Sequence, residues 1–267
     1  MTKGTGKTRP FTDAHAIVSV DLALGFDEPL TEDVFRELEG SLAAVLVPEK
    51  FVKDESDPDP DVGIYLVYER KSEEGEIMEF VHVHPNYVHA QVFEYRGWEL
   101  TRDRLVEVLR PVLKIARSSV TPAEAMFLSF TDAFLNDELD GYDVSDVFKP
   151  NDFLPNTVFQ SSGYWEHRLG MSFSTDDGTK RWSNIFSRLG IDAGMKSMDD
   201  DTDTHVTEVK HRQGSFVAPN VDVEAAFSEE SVKLRLDVMH TRNREVMLEL
   251  LNDEMCSRIG LEREVSK

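Results

Sequence analysis

The stretch EFVHVHPNYVHAQVFEYRGWELTRDRLVEVLRPVLKIA, Glu79–Ala116, decides how the chain is read. Apolar and polar residues alternate through EFVHV and again through YVHAQVFEY, and the turn-forming HPN lies between them, so the pair reads as a β-hairpin. Beyond Gly97 the period lengthens from two to between three and four. Leu105, Leu109, Val112 and Ala116 then share one helical face, with Thr101 available as a cap and Pro111 set to kink the helix. Upstream, the SEEG turn separates the hairpin from a further strand over 63–69, which makes a three-stranded antiparallel meander.

The pattern extends in both directions. HAIVSVDLAL, His15–Leu24, alternates like a strand. Thr31 followed by Glu32 and Asp33 predicts a helix N-cap, and Val34, Leu38, Leu42 and Val45 form the apolar stripe behind it. DESDPDPDVG, 54–63, reads as an exposed loop. Ala123–Phe134 is another strand, giving the first half the order β-α-β-β-β-α-β. The second half is strand-rich, with strands expected over 164–174, 205–216, 221–227 and 232–239 and a short helix over 182–189. Lys196–Thr204 reads as a loop, and a closing helix from Asn243 carries Met247, Leu250, Leu251, Met255 and Ile259. The expected class is α+β, with mainly antiparallel sheets and helices on one face. The expected organisation is a disordered tail over 1–12, an α+β lobe over 13–136, a Gly/Asp/Asn/Pro-rich connection over 137–156, and a second α+β lobe over 157–267.

Charge narrows the function classes. Fifty-one Asp and Glu against 29 Lys and Arg give a net charge of −22, which repels phosphate backbones and anionic lipid. The short basic clusters KHR and TRNR are flanked by acids, so direct nucleic-acid binding is not expected. No stretch approaches the roughly 20 apolar residues of a membrane span, and MTKGTGKTRP lacks the apolar core of a signal peptide. A single cysteine, Cys256, forms no disulfide framework and no zinc-ligating pair, which fits the expected cytoplasmic location.

The hairpin, the Gly97–Trp98 pair and the amphipathic helix together resemble the centre of a sporadically distributed, uncharacterised prokaryotic family of about this length. DVSDVFKPNDFLP, 143–155, and VKLRLDV, Val232–Val238, agree with that family in their order along the chain. The resemblance implies an association with defence or mobile-element gene clusters and assigns no catalytic residue.

The sharpest chemical feature is HVHPNYVH. His82 and His84 are two apart on a strand, so both imidazoles point to one face, and His89 can return to them across the turn. Convergent imidazoles bind divalent transition metals, and Glu79 and Glu94 are the carboxylates expected to complete the shell. GTGKT, 4–8, lacks the leading glycine and the preceding strand of a phosphate loop. DPDPDVG, 57–63, and DDDTD, 199–203, lack the turn glycine of a calcium loop.

Two functions of different class follow, and a third stands beside them. The first is a non-enzymatic interaction or regulatory subunit that needs no cofactor. It binds a basic protein surface, or a second copy of itself, through acidic loops (Asp57, Asp59, Asp61 and Asp199, Asp200, Asp201) around aromatic anchors (Tyr142, Phe148, Phe153). The second is a metal-dependent hydrolase centred on His82, His84 and His89. The third is a small-molecule sensor, which requires a pocket without reactive groups.

Overall fold

The alternating segments become ten antiparallel strands in a computed structural model, described for residues 8–12, 14–53, 66–117, 122–136, 142–161, 164–173, 181–199 and 202–261. The strands are β1 (Thr8–Pro10), β2 (Ile17–Phe26), β3 (Val52–Lys53), β4 (Leu66–Lys71), β5 (Ile77–Val83), β6 (Tyr87–Val92), β7 (Ala123–Asn136), β8 (Trp165–Phe173), β9 (Ile185–Asp199) and β10 (Thr202–Phe216). They form one sheet in the order β3-β4-β5-β6-β2-β7-β10-β9-β8, with β1 also paired to β7. The α+β class is as expected, and the β4-β5-β6 meander lies where the turns placed it.

The boundary expected at 137–156 does not divide the sheet. β7 pairs with β10 from Asn136↔His205 to Ala125↔Phe216, so a strand of the first half is hydrogen-bonded along its length to one of the second. A strand with neighbours on both sides has no free edge, and both halves contribute to the same layer.

The helices are α1 (Glu32–Leu46), α2 (Trp98–Val108), α3 (Arg110–Ala116), α4 (Val223–Ala226), α5 (Glu229–Leu250) and α6 (Asp253–Arg258). All six put their buried residues into two apolar clusters on one side of the sheet. One joins Leu38, Leu105, Val112 and Leu236 to Leu22, Leu128 and Phe130. The other joins Met247, Leu250 and Met255 to Leu189, Ile191 and Val209. Thr31 caps α1 as its sequence predicts, accepting from the Val34 amide. Thr101 is instead buried inside α2, which starts three residues earlier, after Gly97. Gly97 adopts φ +103°, a conformation open to glycine, and so turns the chain sharply enough to seat Trp98 under α5. Trp98 lies parallel to His240 at 4.3 Å and donates its indole N–H to Asp237 at 2.7 Å; Arg102 binds the same carboxylate.

Five segments depart from the sequence expectation. Thr8–Pro10, within the tail expected to be disordered, is strand β1, held by its pairing with the end of β7. Residues 221–227 contain α4, and 232–239 belong to α5, where strands were expected. VKLRLDV satisfies both periods. The helix wins because it buries Val232, Leu236 and Met239 on one stripe while leaving Leu234 exposed, with Ser228 as its N-cap. Ile185–Leu189 is strand rather than helix, since Ile185, Leu189 and Ile191 fill the core side of β9. The loop expected over Lys196–Thr204 is largely strand, with β9 reaching Asp199 and β10 starting at Thr202.

Candidate metal centre on the open sheet face

The sheet face away from the helices carries Asp21, His82, His89, Phe127, Arg188 and Arg212, the alternate residues of their strands. The β5–β6 turn is held at its tip. The His84 amide donates to the Tyr87 carbonyl at 2.8 Å, and the carbonyls of Pro85 and Asn86 accept from Leu30 and Phe26 at 2.7 Å each. His82 and His89 are directly opposite across the pair, and His84 follows on the same face.

The three imidazoles converge as their spacing predicts. One ring nitrogen from each lies within 4.8 Å of the others. Tetrahedral zinc with bonds of about 2.1 Å places its nitrogens about 3.4 Å apart, so small inward ring rotations would close the site. His82 stacks on Phe80 at 4.0 Å and His84 on Tyr87 at 3.9 Å, which limits the ring orientations available to each. Burial, helped by the neighbouring His89 and His84, lowers the His82 pKa to about 4, so its ring is neutral and its lone pair available at pH 7.

The carboxylate at this site is Asp21, which sequence reasoning did not single out. Its Oδ2 lies 3.0 Å from His89 Nδ1. A neutral His89 donates from Nδ1 to Asp21 and thereby presents Nε2, the usual carboxylate–imidazole orientation at metal sites. The signal in the sequence was the outward parity of Asp21 in HAIVSVDLAL. What the sequence lacked was the pairing of β2 with β6.

The two expected carboxylates lie elsewhere. Glu79 points to the helix side, where it receives Arg104 at 2.8 Å and Arg70 at 2.7 Å. Burial alone would raise its pKa, but the two guanidiniums outweigh that and lower it. Glu94 lies past the end of β6 and pairs with Arg96 at 2.8 Å. The aromatic anchors expected around a partner surface are also committed. Phe148 is fully buried and edge-on to Trp165, while Tyr142 stacks on His205 and Phe153 packs beside the same core. Asp57, Asp59, Asp61, Asp200 and Asp201 lie outside the described residues; Asp199 ends β9.

A second histidine arrangement sits on the helix side. Ser187 Oγ contacts His211 Nε2, and His211 Nδ1 lies 2.8 Å from Asn243 Oδ1. The order serine–imidazole–amide matches a nucleophilic triad. However, Ser187 is 2% and His211 0% exposed beneath α5, so no substrate reaches the hydroxyl. This is a buried hydrogen-bonded link between sheet and helix. Gln213, which donates to the Met239 carbonyl at 2.8 Å, and Ser215, which receives Arg235 at 2.7 Å, continue it along β10.

No known family model matches the chain, and no curated protein matches it. No described helix is long and apolar enough to cross a membrane.

Proposed function

We propose that this chain binds a divalent transition metal, zinc being best suited to its donors, through His82, His84 and His89, and that the bound ion serves hydrolysis. The observation that carries the reading is the convergence of three imidazoles on an open sheet face with Asp21 orienting the third. Three protein ligands leave a fourth position for water or substrate, the pattern of catalytic rather than structural zinc. Bound there, the metal would acidify water and polarise a substrate oxygen. The chain's own part is to keep His82 neutral, to fix the His89 tautomer and to hold Tyr87 beside the site.

The partner-binding reading keeps the −22 charge as support. Of its anchors, Phe148 is buried and Tyr142 and Phe153 are half-buried against the core, so the metal reading ranks first.

The test is metal retention. Purified protein should hold one zinc per chain after dialysis, and changing His82 and His84 together to Ala should abolish it. Zinc at about a thousand times its Kd should raise stability by about 4 kcal/mol. Wild-type protein that neither retains zinc nor gains stability from it would refute metal binding. Zinc-loaded protein inactive on ester, amide and phosphoester substrates would refute the hydrolytic half.

A further inference from the structure

The same open face carries a second feature that the metal reading does not use. β9 and β10 place Arg188 directly opposite Arg212. Like charges at paired positions repel, so such a pair normally recruits a carboxylate. The neighbouring cations on this face have done so: Arg168 pairs with Glu166 and Lys210 with Glu208. Among the described residues neither Arg188 nor Arg212 has an ion pair, in a chain with a large excess of acids. Gly170 and Ser129 flank the two arginines in the same cross-strand row, and nothing lies within 4 Å of where a Gly170 Cβ would stand. Arg188 and Arg212 are both exposed.

Aromatic rings form the wall of this site. Phe216 stands edge-on between Phe127, at 6.3 Å, and Phe186, at 6.1 Å, and Phe186 is 51% exposed. Gly214 is what permits the arrangement, because a Cβ there would lie 2.8 Å from two Phe127 ring atoms. Phe127 thus lies across β10, and Arg212 covers it at 4.8 Å. The resulting cleft encloses about 680 Å³, enough for a ligand of mononucleotide size. The contrast with the other arginine-lined cleft is direct. That one, of about 410 Å³, contains Arg70 and Arg104, already paired with Glu79 and, for Arg104, with Glu49 and Glu107 as well.

We infer that the Arg188–Arg212 cleft binds a small phosphate monoester carrying a planar aromatic group, the guanidiniums taking the phosphate and Phe186 and Phe216 the ring. Paired guanidiniums match phosphate in charge and fork geometry. Exposed phenylalanines stack on any planar base. The net charge of −22 favours a small anion over a polymer, since each further phosphate adds to the repulsion. The inference goes beyond the metal reading and does not depend on it.

Adenosine 5′-monophosphate is the probe, titrated calorimetrically into the full chain beside adenosine and inorganic phosphate. The monophosphate should bind about tenfold or more tightly than either fragment. Arg188→Ala with Arg212→Ala should cost about tenfold or more and leave adenosine binding unchanged, with the double Lys variant in between. Phe186→Ala should cost about fivefold and act on adenosine too. The His82→Ala, His84→Ala variant should bind the monophosphate within about twofold of wild type, so that failure of the metal site is distinguishable from failure of the cleft. No binding at millimolar monophosphate, equal affinity for phosphate alone, or indifference to the double Arg→Ala change would overturn the inference. A single-stranded oligonucleotide binding more tightly, with a steep salt slope, would overturn it in favour of a polymer ligand.

Discussion

His211 on the covered face and the His82–His84–His89 group on the open face belong to one sheet and obey the same two-residue alternation. On the covered face, Asn243 and Ser187 occupy both ring nitrogens of His211, and α5 seals the link from water. On the open face, stacking partners and Asp21 orient the imidazoles, and one ring nitrogen from each lies within 4.8 Å of the others. Burial holds His211 and His82 neutral alike, at about 4. Neutrality therefore does not distinguish a structural histidine from a ligand. What distinguishes them is arrangement: His211 is held between Ser187 and Asn243, whereas His82 faces two other imidazoles.

The largest expected effect comes from the covered face. Asp132 is buried, its Oδ2 meets no partner, and burial raises its pKa to about 7. With a folded pKa above the unfolded one, its contribution is fully present below about pH 4 and is lost as pH rises through about 7. Asp132→Asn removes the ionisation. Denaturant titrations should show the variant up to about 4 kcal/mol more stable than wild type at pH 8, about 1.6 kcal/mol more stable at pH 5, and little different at pH 3. An equal effect at all three pH values would mean that Asp132 is paired.

Next comes His211, whose sign is opposite. Its folded pKa of about 4 lies below the usual 6.5, chiefly through burial, so the unfolded chain takes up the proton first as pH falls. Stability should drop by about 3 kcal/mol between pH 6.5 and pH 4 on this account. This share of the drop should be missing from the curve of His211→Gln, which cannot titrate there, and should appear in the difference between wild type and variant. Parallel wild-type and variant curves would remove the contrast between the two faces.

The smallest effect tests the open face. Asp21→Asn keeps the volume but removes the charge behind His89, and should weaken zinc binding about 10–100-fold, roughly 1.4–2.7 kcal/mol. Metal-free stability should change by less than about 1 kcal/mol, because the pair is partly exposed. A large loss of metal-free stability with unchanged zinc affinity would place Asp21 among the structural groups.

The sequence by itself determined the local elements whose period is unambiguous: the β4-β5-β6 meander, the Thr31 cap, the break at Pro111, and His82 and His84 on one face. These depend on residues near in the chain, where side-chain direction follows from strand or helix geometry alone. It suggested a strand for VKLRLDV, because the segment fits both periods, and the burial of Val232, Leu236 and Met239 on one helical stripe overturned that reading. Only the tertiary structure decided which strands are neighbours. The β2–β6 pairing brings Asp21 to His89 across 68 positions of sequence, and the β7–β10 pairing carries the sheet through the expected domain boundary. It also turned Glu79 inward to two arginines and set Arg188 opposite Arg212. Strand order is chosen by the total burial of a whole layer, and no single segment of the chain carries that information.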